Sequence, residues 1–102
     1  MIKVKYEVKD DRYTYICVKG HANFDEYGKD LICASVSSIM FGLMNACDEL
    51  KDSQVVIKEE ENLIEIVNNS DNQKLQNYFE LVIYQLKTIE ESYSNFIKLE
   101  RK

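Results

Sequence analysis

The chain contains no proline and no tryptophan, and its 102 residues include one histidine and three glycines. No linker, repeat or low-complexity segment divides it, and its length suits one hydrophobic core and not two, so residues 1–102 read as a single domain. Cysteine is scarce and badly spaced for structural use. Cys17, Cys33 and Cys47 are odd in number and form no CxxC pair, and one histidine cannot complete a usual Cys/His zinc set. Neither a structural disulfide nor a metal or cofactor is expected. A long apolar run and a basic apolar leader are missing too, so a membrane span and a secretory signal are not expected, and the chain reads as cytoplasmic.

Basic charge is the other shortage. Thirteen Lys and Arg face eighteen Asp and Glu, a net charge of -5. The deficit is local: residues 1–20 sum to +2, 21–62 to -6 and 63–102 to -1. Affinity for a phosphate backbone rests on Lys and Arg releasing counterions, so direct nucleic-acid binding is not expected. A basic protein or peptide fits the acidic middle better.

Hydrophobic periodicity supplies the elements. Ile2, Val4, Tyr6 and Val8 alternate with Lys3, Lys5, Glu7 and Lys9, the period of a half-buried strand. Asp10-Asp11 forms a turn, Arg12 to Lys19 returns as the second strand of a hairpin, and Gly20 ends it. From Cys33 the period becomes helical through Val36, Ile39, Met40, Leu43, Cys47 and Leu50, which predicts a helix starting near Cys33 and stopping at Asp52-Ser53. Val55 to Ile57 and Leu63 to Val67 form a second hairpin across Glu60-Glu61-Asn62. Ser70 or Asp71 caps a second helix with the stripe Leu75, Tyr78, Phe79, Val82, Ile83, Leu86, Ile89 and Tyr93. Phe96 to Leu99 closes as a strand. The expected fold is α+β, a two-layer sandwich of an antiparallel sheet of four to five strands with two helices, in the order β-β-α-β-β-α-β.

The rare residues are crowded together. Gly20, His21, Gly28, Cys33 and Gly42 all fall between 20 and 42. On this reading His21 follows the second strand and Cys33 opens the first helix, so the two ends of one loop can meet. A helix N-terminus favours a thiolate and an oxyanion, but its dipole is worth only about 0.3–2 kcal/mol. A protonated imidazole is the second perturber that a reactive thiol needs. Asp25, Glu26 and Asp30 would oppose a thiolate but sustain a charged imidazole, which is consistent if Asp30 faces His21 or the loop amides. Ser37 lies at i+4 from Cys33, and the small Ala34, Ser35, Ser37 and Ser38 leave room for a substrate backbone or simply pack the helix on the sheet. Gly28 lets the loop swing over a bound chain, and Phe24 and Tyr27 are placed to touch apolar substrate residues. Cys17 and Cys47 read as core, and Gly42 as a packing glycine.

The run GHANFDEYGKDLICASVSSIMFG, residues 20–42, resembles the ribosomal-processing cysteine protease family, and the order of elements is similar over nearly the whole chain. The resemblance implies a homodimeric cysteine endopeptidase that removes the short N-terminal extension of a bacterial large-subunit ribosomal protein, cutting after an aromatic residue. It also implies Cys33 as nucleophile, His21 as base, Gly20, Asp30 and Ser37 as supporting residues, and the loop from Ala22 to Ile32 as a segment that orders with substrate. Two other readings remain open on the residues alone. One is a non-enzymatic ribosome-assembly adaptor that binds a basic ribosomal protein. The other is a thiol redox protein acting through Cys33.

Overall fold

The computed structural model describes residues 1–20 and 29–102, with the backbone alone at 29 and 30. In chain order the elements are β1 (Ile2–Lys9), β2 (Arg12–Lys19), α1 (Lys29–Leu50), β3 (Val55–Glu60), β4 (Leu63–Asn68), α2 (Gln73–Ser92) and β5 (Ile97–Arg101). The first hairpin turns on Asp10 and Asp11, both left-handed with φ of 53° and 61°. Aspartate tolerates this region, and a two-residue turn of that hand matches the twist of the strands. The second hairpin turns at Glu61-Asn62, so β3 runs one residue further than the expected turn allowed.

The five strands lie in the order β3-β4-β2-β1-β5. Three neighbouring pairs are antiparallel, but β1 and β5 are parallel, pairing Ile2 with Ile97 through to Tyr6 with Arg101. The sheet is therefore mixed and not wholly antiparallel. The cause is connectivity: β4 and β1 are both antiparallel to β2 and so share a direction, and α2 carries the chain back along the sheet before β5 begins. A strand that follows such a crossover must run the same way as the strand before it.

Both helices cover one face. Alternate residues of the central strands, Ile2 and Val4 on β1, Ile16 and Val18 on β2 and Ile66 on β4, meet Val36, Met40 and Leu43 of α1 and Leu75, Phe79 and Leu86 of α2 in one core. Among the described residues the other face carries no helix. That face corrects the reading of Cys17, which the period of two turns away from Ile16 and Val18, so that it is half-buried beside Tyr15 and not in the core. Tyr15 donates its hydroxyl to Glu65 there at 2.6 Å. Cys47 is buried as expected, and burial beside Asp48 pushes its thiol up to about 11.

Polar side chains finish the end of the sheet remote from the helix-1 entrance. An extra residue, Thr14, sits where the β1–β2 register shifts, and the backbone of Tyr13 beyond it has no ladder partner on β4. Gln76 takes both groups, accepting from the Tyr13 N–H at 2.6 Å and donating to its carbonyl at 3.0 Å. Helix α2 is capped by Asn72, which accepts from the Lys74 N–H at 2.8 Å, and not by Ser70 or Asp71. Ser70 is buried instead, with its N–H on Asn68 and its hydroxyl donated to Asp52. That bond and the Gln54 N–H hold the Asp52 carboxyl below its usual range. Tyr93, expected on the buried stripe, is 48% exposed because it is the residue at which the helix ends.

The segment Leu31–Leu50 has a mean hydropathy of 1.5 and is long and apolar enough to cross a membrane. This overturns the expectation that no such run exists. In this fold the segment lies on the sheet with one side in the core.

Candidate active site

Helix α1 begins at Lys29, four residues before its expected start. Ile32 is the reason, because it is buried and extends the stripe of Val36, Met40, Leu43 and Cys47 back by one turn. Residues 29–32, expected within the loop, are therefore helical. Cys33 is consequently the fifth helical residue, past the four N–H groups that a helix leaves without internal partners. The Cα–Cβ bonds of a helix tilt toward its N-terminus, so a side chain at Cys33 stands over the preceding turn, where those four groups lie. The thiol thus keeps its relation to the positive end of the helix although its own amide is not part of that end.

Cys33 is half-buried and lines a cleft of about 380 Å³, within the size range of ligand pockets. Ser37, one turn on, shares its wall, followed by Met40 and Phe41. The floor is apolar and comes from the sheet: Ile2, Val18 and Ile64. The opposite wall is the β3–β4 hairpin, Glu59 to Leu63. Three consecutive carboxylates on that wall give the cleft a negative side. Among the described residues, only Glu60 has a cation close by, Lys58 at 3.6 Å, and that pair is solvent-exposed and weak.

Gly20 closes the end of β2 and also lines the cleft. Its φ is +87°, and its N–H donates to the Asn62 carbonyl at 2.9 Å, which ties β2 to the acidic hairpin. The residue that follows in the chain is His21. His21, Phe24, Tyr27 and Gly28 lie outside the described residues, and Asp30 is described only as a backbone position in the first turn of α1. Of the expected site residues, Gly20, Cys33 and Ser37 are brought together around one cleft. Among the described residues, no three His, Cys, Asp or Glu side chains gather as a metal site would need.

Sequence reasoning did not single out the hairpin wall. The signal was present in Glu59-Glu60-Glu61-Asn62, an acidic run ending in a turn residue between two apolar strands, but its place beside Cys33 depends on β4 pairing with β2. Met40 and Phe41 were legible as i+7 and i+8 from Cys33. Ala34, Ser35, Ser37 and Ser38 are all exposed, so they do not serve the packing of helix on sheet.

Residues 1–98 match the family model described as cysteine protease Prp. A ribosomal processing cysteine protease Prp from Staphylococcus aureus is 32% identical over 108 residues, covering 100% of each chain. Two crystal structures of an essential ribosomal processing protease Prp from S. aureus superpose over 100% of each chain. The complex with a substrate peptide has a TM-score of 0.89 at 31% identity, and the complex with a covalently linked product peptide has 0.87 at 32%. Matched from end to end in sequence and in fold, with a cysteine in an open cleft at the entrance of α1, the chain belongs to the cysteine protease Prp family.

Proposed function

We propose that this protease removes a short N-terminal extension from a large-subunit ribosomal protein, with Cys33 as nucleophile and His21 as general base and acid. The observation that carries the reading is Cys33 in a cleft with an apolar floor and the Glu59–Glu61 wall. Such a cleft suits a chain with an apolar residue at the cut and basic residues beyond it. The name of the S. aureus relative, a ribosomal processing protease, supports the same substrate class.

In the mechanism, His21 holds the proton of Cys33, and the thiolate sulfur attacks the carbonyl carbon of the scissile peptide. The oxygen becomes an oxyanion, stabilised by N–H groups of the first turn of α1. The tetrahedral species collapses as the C–N bond breaks, and the leaving amine takes the proton from His21. Water then gives a proton to His21 and attacks the thioester carbon. Collapse of this second species releases the new carboxylate and returns the thiol. Asp30 orients the imidazole or the loop amides, Gly20 places His21 by fixing the end of β2, and Ser37 supports the nucleophile's wall. Phe24 and Tyr27 contact the residues before the cut, and Gly28 gives their loop freedom to close. The enzyme works in the cytoplasm as a homodimer.

The test is incubation of the purified protein with the ribosomal protein carrying its extension, read by mass spectrometry. One cut is expected, abolished in Cys33→Ala and in His21→Ala. Cutting that persists in Cys33→Ala would overturn the mechanism. Tight binding by the wild type without any cut would favour the adaptor reading.

A further inference from the structure

Lysines collect on the sheet face away from the helices. Cross-strand pairing sets Lys3 of β1 opposite Lys19 of β2 on one side and opposite Lys98 of β5 on the other. Residues paired in this way point to the same face, so the three ammonium groups form one row over roughly 10 Å, two strand spacings. All three are exposed. Lys5 stands on the same face one row on, about 7 Å along β1.

Like charges directly opposite one another destabilise a sheet, and among the described residues none of these four lysines forms an ion pair. The carboxylates of the face are engaged elsewhere. Glu65 accepts from the Tyr15 hydroxyl, and Glu7 accepts from the Thr14 hydroxyl at 3.1 Å. Glu100 is opposite Lys5 and outside the row.

The row also has a fixed relation to the cleft. Ile2 and Val18, in the floor beneath Cys33, immediately precede Lys3 and Lys19 in the chain, and the period of two turns each lysine to the opposite face of the same strand. One sheet thickness separates the row from the substrate cleft. The cleft side is negative through Glu59, Glu60 and Glu61, whereas the row side is positive. A net charge of -5 conceals this division, because it adds along the chain what the fold separates by face.

We infer that the open sheet face binds single-stranded RNA through its phosphate backbone, with Lys3, Lys19 and Lys98 as the main contacts and Lys5 beside them. This reverses the expectation drawn from the net charge. Charge complementarity carries the assignment: the row is a cationic strip without anions of its own, set behind a cleft whose wall suits a basic chain. A basic ribosomal protein is repelled by the row but is itself a partner of RNA, so the protease can hold the RNA on one face and take the extension into the cleft on the other. The choice of RNA over an acidic protein rests on the ribosomal-protein reading of the substrate. Tyr15 is the aromatic side chain of this face, and Lys102 already lies over its ring at 4.4 Å. Base stacking therefore adds little, and binding is indifferent to sequence.

Fluorescence anisotropy of labelled oligouridine and oligoadenosine, about 20 nucleotides long, with the full chain tests this. At about 0.7 per phosphate neutralised on a single strand, three to four lysines give a slope of about -2 to -3 in log K against log salt, alike for both sequences. Lys3→Gln, Lys19→Gln and Lys98→Gln combined should weaken binding at least about 10-fold at about 50 mM salt and take about 2 off the slope. The same three positions changed to Arg should leave both unchanged. Lys51→Gln, Lys74→Gln and Lys87→Gln combined, an equal change of net charge elsewhere, should alter affinity by less than about 2-fold. Any of three results would overturn the inference: no binding by the wild type up to about 100 μM at that salt, equal losses in the two Gln variants, or displacement by polyglutamate of the same length as effectively as by RNA. The last would assign the face to an acidic protein. Cleavage is read separately, since the row variant should cut the free ribosomal protein at the wild-type rate, and a failure of the protease reading would show there without touching the anisotropy.

Discussion

Gly20 faces the backbone of Met1 so closely that a Cβ on it would stand 2.7 Å from the Met1 carbonyl oxygen. The same residue adopts a φ of +87° and lines the cleft of Cys33. Two constraints thus select glycine at the point where β2 leads into the residue assigned as base.

Gly20→Ala should cost about 1–3 kcal/mol from the backbone conformation alone, lowering Tm by roughly 4–24 °C for a chain of this size. Cleavage at a temperature where the variant is folded should also fall, because relief of the clash moves the end of β2 away from Met1 and shifts the point from which the chain continues to His21. Thermal unfolding and kcat/KM check the two effects separately. A variant with unchanged Tm and unchanged turnover would remove Gly20 from any special place in the site.

The acidic hairpin should act on substrate binding and not on the chemical step. Replacing Glu59, Glu60 and Glu61 together by Gln is expected to raise KM about 3- to 10-fold at low salt, with kcat little changed, and the difference should shrink as salt screens the field. Steady-state kinetics at about 50 and 500 mM salt measure it. A KM insensitive to the triple change would mean that the basic part of the substrate lies elsewhere.

Burial of Cys47 makes an alkaline prediction. Its folded value is raised to about 11 from 9.0, so the folded state holds the proton longer than the unfolded chain does. The associated stability is therefore complete below about pH 9 and is lost progressively up to about pH 11. Tyr13 and Tyr15, also raised by burial, contribute in the same direction. Urea midpoints measured from pH 8 to 11 should fall less steeply in Cys47→Val than in the wild type. Parallel curves would show that Cys47 titrates alike in both states.

Gln76→Leu should destabilise by about 1–3 kcal/mol, since it leaves the Tyr13 N–H without its acceptor at 2.6 Å. The Tyr13 carbonyl keeps Asn68 as a donor at 3.1 Å, so the loss falls on one group and not two. Turnover of the folded variant should match the wild type, because Gln76 lies at the far end of the sheet from Cys33. Chemical denaturation and the cleavage assay together decide this.

Most of the fold was legible because its elements carry clean periods. Lys3 to Lys9 alternates without a fault, and the stripe from Leu75 to Leu86 is helical throughout. What escaped was set by tertiary contacts. The parallel pairing of β5 follows from β4 and β1 sharing a direction, which no local period encodes. The burial of Gln76 has no signal in the apolar period, because it answers the Thr14 bulge that leaves the Tyr13 backbone in need of a partner. Cys17 sat among β-formers that concealed which face it takes. At the site, the placing of Ser37 beside Cys33 was readable from spacing and Gly20 from the family resemblance, whereas the Glu59–Glu61 wall became visible only once β4 was seated against β2.

The parallel strand β5 also bears on how the chain is made. The outer edge of β1 stays unpaired until Ile97 to Arg101 leave the ribosome, since these are the residues that cover it. Until then a nascent chain offers an open strand edge that any other extended chain can extend. Termination before Ile97 would retain every residue lining the cleft and yet leave that edge permanently bare. The final strand therefore decides whether a chain that already holds its complete cleft remains soluble.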